Sequence, residues 1–317
     1  MTFGIQQNIG LGTLLDVKYV SALGHHLGGS RNLNTLPYGT RFLPQNIDPT
    51  TNKPYSDNFL RPYPGYGSIS YQEHSTSSNY HALQVSANRR LSKGFQFGAA
   101  YTYSKTMDYG SNPMYRPARI WNYALADFDQ THMLTFNYTY DLPKLSKVLP
   151  NPVVRHAFDN WQVSGITSFS SGTPSGIGLS TTNSADLTGG GDGQRVLVIA
   201  DPRIPHSERT IEHMFNNAAF ALPGKGDPGN APRTMVRGPG INNWDLTVFK
   251  LFPIKSEQRS LQLRWEIYNL PNHTQFSGMD TGARFDPVTG AQTNGLFGTA
   301  TSARSPRQMQ VSLRFRF

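Results

Sequence analysis

Arg307-Gln-Met-Gln-Val-Ser-Leu-Arg-Phe-Arg-Phe317 closes the chain, and its reading decides the fold. Met309, Val311, Leu313, Phe315 and Phe317 occupy every second position, with Gln308, Gln310, Ser312, Arg314 and Arg316 between them. Successive side chains of a strand point to opposite faces, so this segment predicts one apolar face and one polar, cationic face. A closing strand of lipid-facing aromatics that ends on Phe is the expected ending of an outer-membrane barrel. A soluble sandwich offers no reason to stop there.

The same alternation recurs upstream. Leu15, Val17 and Tyr19 form one set, and His81, Leu83, Val85 and Ala87 another. Phe95, Phe97, Ala99, Tyr101 and Tyr103 follow, then Leu134, Phe136, Tyr138 and Tyr140. Trp161 and Val163 share a face with Phe169. Trp244, Leu246 and Val248 precede Leu261, Leu263, Trp265 and Ile267, and residues 2–8 hold a further strand. Strands of about ten residues match a tilted membrane strand, whereas soluble strands average about five or six.

The connections carry independent information. Counted back from a periplasmic carboxy terminus, residues 22–77, 107–129, 172–242 and 271–305 are extracellular loops. Ile9-Gly-Leu-Gly12, Leu91-Ser-Lys-Gly94, residues 142–158 and Pro253-Ile-Lys-Ser-Glu-Gln258 are periplasmic turns, the third of them long for that role. Long external loops alternating with short periplasmic turns are a barrel pattern. Structureless loops of this length argue against an ordinary soluble domain.

Composition agrees. Of 317 residues, 15% are charged and 12% aromatic, and cysteine is absent, which removes disulfides, zinc-thiolate sites and cysteine nucleophiles. No apolar run is long enough for a membrane helix, but a spanning strand needs only alternate apolar residues. The net charge of +9 is scattered rather than clustered, so it reads as a polar lumen and solvated loops and not as a nucleic-acid surface. Met1-Thr-Phe-Gly-Ile-Gln-Gln7 has no signal-peptide pattern and reads as strand, so the sequence is expected to begin inside a longer protein.

Candidate chemistry is sparse. Adjacent His25 and His26 would point to opposite faces of a strand, which disfavours a shared metal. Gly189-Gly-Gly-Asp-Gly193 lacks the lysine and helix of a phosphate loop and reads as a mobile external loop. Asp227-Pro-Gly-Asn230 and Asp286-Pro-Val-Thr-Gly290 read as turns. No catalytic constellation, cofactor site or metal site is expected. The functional surface is instead the lumen wall and loops, with Arg264, Glu266, Gln310, Arg314 and Arg316 as lumen-facing candidates for substrate contact. Arg264 and Glu266, with Arg314 opposite, are expected to pair across strands; a structural ion network is the plainer reading, an anionic cargo site the sharper one. Tyr101, Tyr103, Tyr138, Tyr140, Trp161, Trp244 and Phe317 lie near strand ends, where amphipathic rings suit the membrane–water interface.

Several stretches, in order, resemble the carboxy-terminal barrel of TonB-dependent outer-membrane receptors of the Oar-like subgroup, which carry a carboxypeptidase-regulatory-like domain. They are Val17–Leu27, Arg61–Gly67, Ser78–Gln84, Tyr101–Thr106, Trp161–Gly165, Ser171–Pro174, Arg237–Gly240 with Asn243–Leu246, Glu266–His273 and Arg304–Gln310. The resemblance implies a 22-stranded transmembrane β-barrel of the bacterial outer membrane, a plug inside it, and a TonB box. Residues 1–317 then form a partial all-β, antiparallel barrel domain of about nine carboxy-terminal strands, without plug, TonB box or signal peptide. Implied partners are outer-membrane lipid, the barrel assembly machinery through the strand ending in Phe317, and TonB only through the missing amino-terminal part. A small self-contained porin and a secreted adhesion or carbohydrate-binding β protein are the alternatives.

Overall fold

The computed structural model describes residues 1–110, 122–191, 193–254 and 256–316. Nine long strands form an antiparallel meander in strict chain order: β1 Thr2–Gly10, β2 Thr13–Asn32, β3 Ser70–Ser92, β4 Phe95–Asp108, β5 His132–Asp141, β6 Trp161–Ser170, β7 Ile241–Ile254, β8 Ser256–Tyr268 and β9 Gln308–Arg316. Ala124–Leu125 adds a short pairing to β4. Among the described residues β1 and β9 are the edges of this path and do not pair with each other.

Register converts the local alternation into two continuous faces. Phe95, Tyr140, Val163, Val248, Trp265 and Val311 pair in turn across six strands and make one apolar row. One residue along each strand, Gln96, Thr139, Ser164, Thr247, Glu266 and Gln310 pair in turn and make a polar row. A slip of one residue in any strand would exchange the two faces there. The apolar side chains are not a core: Leu313 is 65% exposed, and Met309, Val311 and Phe315 are exposed beside it.

Short connections gather at one end of the sheet. Gly10, Leu11 and Gly12 all have positive φ, as do Lys93 and Gly94, which closes β1–β2 and β3–β4 in tight turns. The Pro253–Gln258 turn contains Lys255, which lies outside the described residues, as does Phe317. The long connections lie at the other end, and the first is much shorter than expected. β2 and β3 extend past the predicted boundaries, leaving 33–69, while the others span 109–131, 171–240 and 269–307. Residues 111–121 of the second lie outside the described set.

These long connections pack against one another and hold the only clustered apolar core among the described residues. Phe215, Phe220 and Phe297 meet edge to face with centroids 5.2–5.8 Å apart, and Val196, Val236, Ala283 and Phe285 are among the residues buried with them. Gly178–Thr181 pairs in parallel with Gly282–Phe285, joining loop 171–240 to loop 269–307. The predicted long loops therefore form a folded cap.

Within the wall, Gly165 lies opposite Tyr138, whose ring fills the space a side chain would take: a Cβ at Gly165 would stand 2.7 Å from it. Replacing Gly165 by Val is expected to lower the stability of the folded protein in detergent by about 1–3 kcal/mol through overpacking. Gly28→Val, in open space, should shift the urea midpoint far less.

Candidate functional site

The polar face and the cap are where a solute could be held. On the polar face, Arg264 and Glu266 form an ion pair along β8 at 3.4 Å. The expected cross-strand partner differs: Arg314 stands opposite Gln262, and Glu266 opposite Gln310. The reason is register: β9 runs antiparallel with Ser312 opposite Arg264, so Gln310 faces Glu266 and Arg314 lies four residues further along β9. Arg316 stands opposite Ser260, and Gln310, Arg314 and Arg316 are exposed. The five candidates thus share one face of β8 and β9.

The six described candidate aromatics all lie on the other face. Tyr101, Tyr103 and Trp244 sit toward the cap end, and Tyr138, Tyr140 and Trp161 toward the short-turn end. Trp244 packs edge to face on Phe169, and its indole N–H donates to Asn242 Oδ1 at 2.8 Å. The Trp161 indole N–H donates to the Ala157 carbonyl at 2.9 Å.

The cap is fastened by charge. Asp129 is fully buried and accepts from Arg237 Nη2 at 2.7 Å and from the Thr106 amide at 2.7 Å. Arg237 also donates to the Gly172 carbonyl at 2.9 Å. Gly172 has no room for a side chain, since a Cβ there would meet the Gly238 carbonyl. The stretches Ser171–Pro174 and Arg237–Gly240 therefore cross backbone to backbone at the root of loop 171–240, with the Gly238 amide on the Thr173 carbonyl at 3.0 Å.

A second clamp ties loop 33–69 to loop 171–240. Arg41 donates to both carboxylate oxygens of Asp57, at 2.8 and 2.7 Å, and to Asp186 at 2.5 Å. The hydrogen bond with Asp57 raises the Arg41 guanidinium above its ordinary value and lowers Asp57 in return. Burial pulls Asp186 upward, but hydrogen bonds from Thr188 and Arg41 outweigh it and leave that carboxyl below the ordinary range.

The glycine run beside this clamp is not the mobile loop expected. Gly189, Gly190 and Gly191 have positive φ and lie against Pro37–Phe42. The Arg41 amide donates to the Gly189 carbonyl at 2.8 Å, and the Gly191 amide to the Leu36 carbonyl at 2.6 Å. A Cβ at Gly190 would stand 2.3 Å from the Pro37 carbonyl. Glycine here permits close approach of two backbones. Nothing local in the sequence signals the partner, which is about 150 residues away.

The turns read at Asp227–Asn230 and Asp286–Gly290 are present, with Asp227 Oδ1 accepting from the Gly229 amide and Asp286 Oδ1 from the Val288 amide. His26 has φ 55° at a break in the β2–β3 register, so the His25–His26 pair sits on an irregular strand. Among the described residues no three His, Asp or Glu side chains cluster as a metal site. A cavity of about 1070 Å³ lies where the cap meets the wall, between Tyr101, Leu134 and Phe169 of the apolar face and Ile211, Met214 and Phe276 of the loops.

The family model described as an outer membrane beta barrel domain matches residues 1–310. The chain belongs to that family. This outer membrane beta barrel domain is accordingly a component of the bacterial outer membrane, and the two-faced meander is its wall. Its fold is similar to the outer membrane transporter YddB from Escherichia coli (10% identity, TM-score 0.48, 100% of this chain and 32% of that one). It is also similar to the siderophore receptor PiuA from Acinetobacter baumannii (13% identity, TM-score 0.43, 100% of this chain and 28% of that one). The ferric-catecholate import receptor Fiu from K12 E. coli gives 9% identity and a TM-score of 0.38, with 99% of this chain and 34% of that one covered. The chain spans about a third of the length of these proteins. No curated protein matches it.

Two outcomes follow for the cap. Asp129→Ala leaves Arg237 without its buried partner and is expected to cost the cap about 3 kcal/mol. Hydrogen exchange should then rise in 122–131 and 171–178 while β8 and β9 stay protected. For the Arg41 clamp, both carboxyls have folded values below their unfolded ones. Their contribution is full above the ordinary carboxylate value of about 4 and is lost as pH falls through the lower folded values. Protection factors at 36–42 and 188–191 should begin to fall below about pH 4, and Asp57→Asn should reduce that dependence, with the share of Asp186 remaining.

Proposed function

We propose that this chain is the carboxy-terminal wall and loop cap of a TonB-dependent, Oar-like outer-membrane receptor that takes up a large or scarce solute. The observation that carries the reading is the division of the meander into one apolar and one polar face, with short turns at one end and a folded loop cap at the other. Short turns are periplasmic and long loops external in such walls, so the cap faces the outside and meets the solute first. The apolar face meets lipid, with Tyr101, Tyr103 and Trp244 at the outer interface and Tyr138, Tyr140 and Trp161 at the inner one. The polar face lines the lumen and presents Arg264, Arg314 and Arg316, guanidinium groups suited to carboxylate or phosphate on a passing cargo. Glu266 and Gln310 hold that surface in register. The role is binding and passage, without a chemical step.

An open edge carries unpaired amides, which lipid does not tolerate. In this reading β1 and β9 therefore meet further strands of the same receptor. The test is the native product in the outer-membrane fraction, detected with an antibody to residues 271–305, together with its transport. A polypeptide much heavier than 317 residues, with solute uptake abolished by loss of TonB, is the expected result. A product of this chain's own size whose gel mobility shifts on boiling, and whose uptake is indifferent to TonB, would mean a small porin. In the receptor, Arg314→Gln with Arg316→Gln should slow uptake of an anionic solute severalfold while leaving the amount of folded protein unchanged.

A further inference from the structure

The connection 142–160 is built unlike the other turns at its end of the wall. Asn151 caps the helix Pro152–Phe158, its side chain accepting from the Val153 amide at 2.8 Å, with Pro152 in the first turn. At 100° per residue, Val153, Val154, Ala157 and Phe158 fall within an arc of about 140°, and Arg155 and His156 fall opposite. Val148 is 76% exposed, Val153 72% and Phe158 55%, with Leu145 and Leu149 also exposed. The fixed cations Lys144, Lys147 and Arg155 stand among them, and Asp159, the one acid of the segment, is buried and bound to Ser146.

Two side chains of the apolar face fix where this segment lies. Lys250 is on that face, opposite Trp161 and Leu263. It is only 3% exposed, and its ammonium donates to the Ala157 carbonyl at 2.8 Å and the Asp159 carbonyl at 3.1 Å, between the Trp161 and Phe252 rings. The Trp161 indole meets the same Ala157 carbonyl. The last turn of the helix is therefore drawn to the lipid side of the wall, and its exposed apolar residues continue the lipid-facing band.

We infer that residues 142–158 form an interfacial anchor that lies in the periplasmic leaflet of the outer membrane, with Val148, Leu149, Val153 and Phe158 among the acyl chains and Lys144, Lys147 and Arg155 on anionic phospholipid headgroups. An amphipathic helix with cations on its polar side binds such an interface through both contributions. The inference rests on the wall reading above.

This chain has no cysteine, so nitroxide labels can be placed singly in it. In the intact receptor, stripped of any other reactive thiol and reconstituted in phosphatidylethanolamine vesicles containing phosphatidylglycerol, labels go on Val153→Cys and Phe158→Cys. Leu313→Cys reports the wall and Leu11→Cys a water-exposed turn. The expected result is that the 153 and 158 labels, like that at 313, favour collision with oxygen over a water-soluble nickel complex severalfold, and that the 11 label does the reverse. Replacing phosphatidylglycerol by phosphatidylcholine, or Lys144, Lys147 and Arg155 by Gln, should reduce that preference at 153 and 158 but not at 313. Nickel access at 153 and 158 with lipid access at 313 overturns the anchor and leaves the wall standing. Labels at 153 and 158 shielded from both reagents also overturn it, in favour of a protein partner. Nickel access at 313 overturns the wall reading itself.

Discussion

A backbone amide in hydrocarbon has no water to bond, so each strand of a membrane wall must satisfy its N–H and C=O groups on its neighbours. That demand produces the long, regular ladder from β1 to β9. Once the ladder is continuous, the two-residue period of the strand divides every side chain between two environments. Val311, Trp265 and Val248 share one row with Tyr140, and Gln310, Glu266 and Thr247 share the next with Thr139. The faces are thus a consequence of pairing, and no single apolar contact creates them. The wall buries little of its apolar face against itself, and Leu313 and Phe315 stand exposed; in the proposed receptor that face meets lipid.

The cap answers to the opposite solvent. In water, long connections must bury apolar surface or remain disordered. Phe215, Phe220 and Phe297 supply that core, but a core so small needs directional help. Asp129, Asn34 and Arg41 provide it: each is a polar group joined to backbone or charge on another segment. Asn34 is fully buried and bonds through both ends of its amide to Tyr63 and through its nitrogen to Gly67, which organises loop 33–69 from within. The glycines at 172, 190 and 240 allow backbones to cross where any side chain would collide. A cap of this kind is a folded surface at the long-connection end of the wall.

The two parts were unequally legible. Strand positions, faces and the separation of long from short connections follow from alternation, which is local, and so they could be read from segments such as Leu134–Tyr140 alone. What depends on two distant segments could not. The Gly189–Gly191 run looks mobile in isolation because its partner, Pro37–Phe42, carries no complementary pattern. Alternation puts Arg314 on the same face as Arg264 and Glu266, but only the hydrogen-bond register sets it against Gln262. Arg237 and Gly172 lie in short stretches with no local pattern that joins them; that they touch is a product of the cap's tertiary fold.

Lys250 marks a different kind of legibility. Trp244, Leu246, Val248 and Phe252 share its face, so an ammonium at that position contradicts the pattern around it. A charge is costly in the bilayer core unless it lies near an interface or finds partners. Lys250 has both, near the short-turn end, with two backbone carbonyls and two aromatic faces around it. Those carbonyls belong to a connection that had every freedom to hang away from the wall. A violated alternation is therefore informative in the same way as a kept one. The regular positions state which way the strand faces, and the irregular one states that something polar must come back to that face. Here it is the end of the helix 152–158, whose Ala157 carbonyl, with that of Asp159, takes the Lys250 ammonium and leaves Val153 and Phe158 exposed beside the wall.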